Sequence, residues 1–186
     1  LNPEMTSPFS FYQFWINAAD SEVINYLKIF TFLSENELGE LAKSHESDPG
    51  QRTAQVALAR EITRLVHDET GLEAAERITA ALFSNSLNEL AKEDLEQLAQ
   101  DGMPSSTASG DVALVDALVS SGLAVTPKGE VTVGQARKLI QGNSVSVNGE
   151  KQTDVGLTLT SKAALFGRFF VIQKGKKNHH LLVLDS

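Results

Sequence analysis

The sequence predicts two domains of different class: an all-α domain over residues 1–103, then a small α+β domain over 111–186, joined by a linker at 104–110. Three observations predict this. The first half carries apolar stripes at helical spacing with capping signals, and no alternating strand run. The last third holds SVSV, GRFFVIQ and LLVL, short β-rich runs separated by turn residues. Between them, MPSSTASG (Met103–Gly110) is small and polar and has no apolar period.

Taken in order, Phe11, Phe14, Trp15 and Ala18 fall on one face of a first helix and are expected to anchor it in the core. Asp20 is placed to N-cap the helix through Val23, Leu27 and Phe30. Ser34 with Glu37 makes a capping box for a helix ending near Ser44, and Asp48-Pro49-Gly50 marks a turn. A long helix follows from Gln51 to Glu69, with Gly71 as its stop, and Leu72, Ala75, Ile78 and Leu82 stripe the next. Ser86 with Glu89 offers another capping box, and Glu93 to Gln100 a short last helix. In the second domain Asp111 caps a helix through Leu114, Leu118 and Val119 that ends at Gly122. Thr132 with Gln135 makes a capping box for a second helix that ends at Gly142. SVSV then runs into Asn148-Gly149, a strong two-residue hairpin signal.

The charge divides with the fold. The 186-residue chain has a net charge of −8, but residues before Asp111 carry 7 Lys+Arg against 18 Asp+Glu, and the remainder 9 against 6. A basic module is attached to an acidic one. The absence of cysteine excludes disulfides, thiolate metal sites and cysteine nucleophiles. The sequence shows neither an apolar run of transmembrane length nor a secretory leader, so a cytoplasmic protein with no membrane partner is expected. LNPEMTSP, beginning at Leu1 rather than methionine, reads as the interior of a longer protein.

No pattern for catalysis emerges. His45, His67, His179 and His180 show no metal-ligand spacing, and there is no phosphate-binding glycine loop, nucleophile elbow or dinucleotide fingerprint. The chain is expected to be no enzyme by itself and to hold neither metal nor cofactor. The scattered acids, such as Glu35, Glu37 and Glu40, read as solvated helix faces. Phe9 or Tyr12 could stack on a nucleobase. The cations of the second domain form the better candidate. Arg137 and Lys138 adjoin on a helix, Lys151 follows the hairpin, Arg168 opens a strand, and Lys174, Lys176 and Lys177 share one turn. Several cations on rigid elements with few acids among them suit a repeating anion, the phosphate backbone of a nucleic acid.

Within GQARKLIQGNSVSVNGEKQ, the residues Arg137, Leu139, Ile140, Gly142, Val145, Val147, Asn148 and Gly149 match the pattern of the "S-four" type RNA-binding domain. That domain's usual opening Ser-Arg is replaced by Thr132-Val133. SPFSFYQFWINAADSEVINYLKIFTFLS and AQVALAREITRLVHDETGLEAAERI resemble the helical domain of bacterial tyrosyl-tRNA synthetases, and FGRFFVIQKGKKNHHLLVL resembles their tail. The resemblance covers essentially the whole chain. It implies tRNA recognition: a helical domain at the anticodon, and a tail domain at the anticodon stem and long variable arm of tyrosine tRNA. Asp20 matches an acid that reads an anticodon base. Arg137, Lys174, Lys176 and Lys177 match positions associated with tRNA contact, while Gln173 stands where arginine is common. The family's ATP-handling signatures are absent, so the parent's ATP, Mg and catalytic domain are expected to lie in a missing N-terminal part. The family dimerises largely through that part; the fragment is expected to be monomeric and the parent homodimeric. The rival readings are a protein-interaction or assembly module and a general RNA-binding module of another S-four protein.

Overall fold

A computed structural model describes residues 5–84, 86–175 and 178–185. The chain divides into two compact units, Leu1–Thr79 and Ala80–Ser186, a division earlier than the 104–110 linker that composition predicts.

The first unit is helical. α1 (Pro8–Ile16) begins where Ser7 Oγ accepts from Ser10 N and Pro8 pre-sets the first turn. It buries Phe9, Phe11 and Tyr12. Phe14, expected in the core, is 70% exposed, because positions 9, 11 and 12 supply the buried face instead. The burial of Phe9 and Tyr12 also removes them as stacking surfaces for a base. α2 (Val23–Phe30) buries Val23 and Leu27, and its N-cap is Glu22 without a side-chain bond. Asp20 is therefore not the cap; its carboxylate is held by another helix. α3 (Glu35–Ser47) has the expected capping box: Ser34 Oγ accepts from Glu37 N, and Glu37 Oε2 accepts from Ser34 N.

α4 (Thr53–Ser84) breaks at Asp68, whose φ of 59° and ψ of −173° interrupt the helix. Asp68 Oδ1 accepts from Gly71 N at 3.0 Å, so Asp68 starts the second segment. Gly71 thus lies inside a first turn rather than at a helix stop. It is glycine for space, since a Cβ there would fall 2.6 Å from His67 Cβ. Leu27, Ala54 and Leu58 are wholly buried in one apolar cluster, and Ala59 and Ala75 in an adjoining one.

In the second unit Ser86 makes no side-chain cap; the start signal belongs to α5 (Lys92–Gln97), where Asp94 Oδ2 accepts from Ala91 N at 2.9 Å. The segment read as a linker contains β1 (Ser105–Ser109), which pairs in parallel with the last strand, Ser106 opposite Leu182. β-propensity and apolar period are both weak there, and tertiary pairing overrides them. β2 (Val112–Ala113) precedes α6 (Leu114–Ser120), so Asp111 caps nothing; Ala113 is the N-cap. Gly122 at φ 74° does end α6. α7 (Val133–Gln141) is capped by Thr132 Oγ1, which accepts from Gln135 N at 3.1 Å.

The sheet runs β1-β7-β6-β3-β4, where β3 is Val145–Val147, β4 Glu150–Gln152, β6 Phe169–Lys174 and β7 Asn178–Asp185; β2 pairs separately with β5 (Thr158–Leu159). All neighbours in the five-stranded sheet are antiparallel except β1 and β7. One face, with Val145, Val147, Phe170, Ile172, Leu182 and Leu184, packs on Leu114, Leu118 and Ile140 of the helix pair.

Candidate nucleic-acid interface

The basic module is built on the end of α7 and the strands beside it. Ala136 and Ile140 turn into the core, which leaves Arg137 and Lys138 on the exposed side of α7. The helix closes in a Schellman motif: Ser144 N donates to Leu139 O and Asn143 N to Ile140 O, both at 3.0 Å. Asn143, at φ 53°, takes the left-handed position predicted for Gly142. The chain then enters β3 and reverses through Asn148 (φ 49°) and Gly149 (φ 87°), a turn with both central residues left-handed. Asn148 is latched to β6, since its N–H donates to Val171 O and its Oδ1 accepts from Val171 N, both at 2.9 Å.

Strand register collects part of the predicted set. Lys151 pairs with Ser146, Ser146 with Gln173, and Gln173 with His179, so these four stand in one row across β4, β3, β6 and β7. Lys174 follows in the chain and projects to the opposite face, where its Nζ donates to Leu123 O at 2.8 Å. Gly175 N donates to Ser144 O at 3.0 Å, which ties the end of β6 to the segment that follows α7. Lys176 and Lys177 lie outside the described residues.

Arg168 is not part of this group. It precedes Phe169 at the other end of β6, roughly 20 Å along the strand from Lys174. Its guanidinium sits 5.6 Å from the Phe169 ring centre, and its Nε has no partner. Among the described residues, Arg137, Lys138, Lys151, Arg168 and Lys174 form no ion pair with an acid. The ion pairs described, Arg60–Glu76, Arg64–Glu61, Arg64–Glu69 and Lys92–Glu96, all lie earlier in the chain. The basic module's charge is therefore open to an external anion.

Asp20 belongs to the other unit. It is exposed in the turn after α1, with Oδ1 accepting from Gln55 Nε2 at 2.6 Å and its carbonyl meeting His45 Nε2 at 3.0 Å. Next to it in the chain, Ala18 and Ala19 line an open hollow of about 360 Å³ with Phe14, Trp15, Asn17, Tyr26 and Phe30. Trp15 meets Phe14, Tyr26 and Phe30 at ring separations of 5.1, 5.9 and 5.5 Å, and its Nε1–H is without an acceptor. The sequence reading missed Gln55, His45 and this hollow. Tyr26 and Phe30 sit four apart on α2, and that spacing was the available signal.

The remaining histidines have structural surroundings. His67 lies edge-on to Phe11 at 5.1 Å, and His180 Nε2 shares a hydrogen bond with Ser106 Oγ at 2.8 Å. Burial lowers the pKa of both rings, with Asp68 opposing the shift at His67. Among the described residues no cluster of His, Asp and Glu could hold a metal ion, and no helix is long and apolar enough to cross a membrane.

Comparison with known proteins assigns the halves separately. Residues 1–84 match the family model for class I tRNA synthetases (W and Y), and residues 94–182 match the SYY-like C-terminal domain of tyrosine–tRNA ligases. Tyrosine–tRNA ligases of Escherichia fergusonii and Escherichia coli are 47% and 46% identical to this chain over 182 residues, 98% of its length. The chain spans only 42% of those relatives. A solution structure of a tyrosyl-tRNA synthetase C-terminal domain is 40% identical, covering 54% of this chain and 95% of that one, with a TM-score of 0.42. With both halves matched in order, the chain belongs to the tyrosine–tRNA ligase family and corresponds to the C-terminal region of its members.

Proposed function

We propose that this chain recognises tRNA as the C-terminal portion of a tyrosine–tRNA ligase. In this reading the helical unit reads the anticodon through Asp20. The α+β unit holds phosphates of the anticodon stem and long variable arm through Arg137, Lys138, Lys151, Lys174, Lys176 and Lys177, with Arg168 at a separate point. Tyrosine activation, with its ATP and Mg, belongs to the part of the relatives that this chain does not span, and so does the main dimer contact. The chain alone is a monomer that performs no chemistry, and the cytoplasm is its compartment.

The observation that carries the reading is the open basic charge. Five described cations of an S-four type module are free of acidic partners, in a chain where Arg60 and Arg64 of the first half are each paired with glutamates. Lys174 is tied to a carbonyl oxygen, which holds its ammonium in place without neutralising it. The acidic first half would repel phosphate generally, leaving affinity to the second.

Salt titration of binding to tyrosine tRNA tests this. About four phosphate contacts give a log–log slope of roughly −3 to −4. Replacing Lys174, Lys176 and Lys177 with alanine is expected to lower affinity about 100-fold near 0.15 M salt and to flatten the slope by between two and three. Unchanged affinity and slope would instead point to apolar docking on a protein partner. Shortening the variable arm of the tRNA is expected to cost affinity in the wild type and little in the triple variant.

A further inference from the structure

An exposed aspartate in a turn ordinarily samples several rotamers, yet Asp20 is held from two other helices. Gln55, on the first turn of α4 and wholly buried, donates from Nε2 to Asp20 Oδ1 at 2.6 Å. His45, near the end of α3, meets the Asp20 carbonyl oxygen at 3.0 Å. A carbonyl only accepts, so His45 Nε2 carries the hydrogen. One contact fixes the side chain and the other the backbone beneath it.

The arrangement costs stability. With Nε2 directed at the carboxylate, Gln55 Oε1 is buried without a donor, so its desolvation goes uncompensated. Turning the amide over would set its oxygen against a carboxylate oxygen, so hydrogen-bond chemistry fixes the orientation. A position this buried, among Ala54, Leu58 and Ala59, would be better served by an apolar residue if packing were all that mattered. Asp20 does not need the bond to stay solvated, because it is exposed. The bond therefore orients the carboxylate more than it stabilises the fold.

We propose that Gln55 is a positioning residue that locks the Asp20 carboxylate in one rotamer, with Oδ2 preset as the acceptor for the N–H donors of a guanine edge. This rests on the reading of Asp20 as a base reader given above. Orienting the acceptor before RNA arrives removes the rotamer cost from the binding step, so the bond contributes selectivity at that one base. Overall affinity, set mainly by phosphate contacts on the other unit, is left nearly unchanged.

The test is titration of the 186-residue chain with tyrosine tRNA carrying guanosine or inosine at the first anticodon position. Inosine lacks the 2-amino donor. A hydrogen bond to a charged acceptor predicts that the wild type favours guanosine about tenfold or more. Asp20→Asn and Gln55→Met should each bring the ratio near one, and the double variant should lower it no further. The paired exchange Asp20→Glu with Gln55→Asn moves one methylene from one partner to the other and should restore most of the ratio. A purely structural glutamine would not produce that rescue. If Asp20→Asn loses the preference while a folded Gln55→Met keeps it, the positioning role is overturned and base reading stands. If the wild-type ratio is near one, or Asp20→Asn keeps the full ratio, both are overturned. Should Gln55→Met not fold, the paired exchange decides: folded with a ratio near one, it overturns the positioning role.

Discussion

The two units spend their polar groups in opposite ways. In the helical unit, polar side chains engage one another: Arg60 pairs with Glu76, Arg64 with Glu61 and Glu69, and Gln55 donates to Asp20. In the basic module of the α+β unit, Thr132 caps a helix and Asn148 latches the hairpin to its neighbouring strand, while Arg137, Lys138, Lys151, Arg168 and Lys174 are left without acidic partners. The first pattern gives a surface that repels a polyanion and offers one oriented acceptor. The second gives a rigid frame with free positive charge. Discrimination and affinity can thus reside in separate units of one chain.

The sharpest way to break this division is to unfold one unit at a time. Phe170, 1% exposed in the sheet–helix core, is expected to cost about 3–5 kcal/mol on truncation to alanine. The same change at Leu27, wholly buried in the helical core, should cost about 2–5 kcal/mol. Phe170→Ala should abolish most salt-dependent RNA affinity. Leu27→Ala should leave the salt slope intact and remove discrimination at the anticodon. Thermal melts followed by circular dichroism, alongside the tRNA titrations, check this; equal losses of both functions from either variant would refute the division.

A smaller effect is expected at the hairpin. Asn148→Ala removes the bond to Val171 N and places a less tolerant residue at φ 49°. The two losses together amount to about 2 kcal/mol. Denaturant unfolding should show the whole of this in the midpoint. Phosphate binding should weaken only as far as the Lys151 row loses its register.

Much of this was legible in the sequence wherever one residue type answers one local need. The Ser34–Glu37 box, Thr132, Gly122 and Asn148-Gly149 act within a few residues of themselves, and each sits where its signal predicts. What was not legible depends on distant partners. Ser105–Ser109 has weak strand propensity and becomes β1 because β7 offers an unpaired edge. Asp20 looks like a cap, but a glutamine 35 positions away claims its carboxylate. Phe14 keeps helical spacing with Phe11 and Trp15, yet the core is filled from positions 9, 11 and 12. Of the candidate cations, register puts Lys151 in one row with Ser146, Gln173 and His179, turns Lys174 to the other face and leaves Arg168 at the far end of β6, distinctions that spacing along the chain cannot make.

That row also invites a gain of function. Gln173 stands between Ser146, which pairs with Lys151, and His179. Gln173→Arg adds one cation at the centre of the row. One added phosphate contact should steepen the salt slope by 0.7–0.9 and raise affinity about fivefold near 0.15 M salt. The preference of guanosine over inosine should stay as it was. A change in that preference would mean that the basic row and the Asp20 turn do not act separately.

The smallest effect expected is on the pH dependence of stability, and it too distinguishes the units. His67 in the helical unit and His180 in the α+β unit both have pKa values below the ordinary 6.5, chiefly because burial disfavours the charged ring. The unfolded chain, with rings near 6.5, therefore binds more protons than the folded one below that pH. Stability is complete above about pH 6.5 and declines as the pH falls below it, until the folded rings protonate as well. Glu37 acts separately: Ser34 holds its pKa below the ordinary 4.5, so its contribution is lost only at still lower pH. Melts at pH 7.5 and 5.5 should show the decline. His67→Gln should reduce it in the helical unit alone and His180→Gln in the α+β unit alone, while the double variant should be nearly flat across that interval. A decline that persisted in the double variant would assign it to other groups and remove the imidazoles from the account.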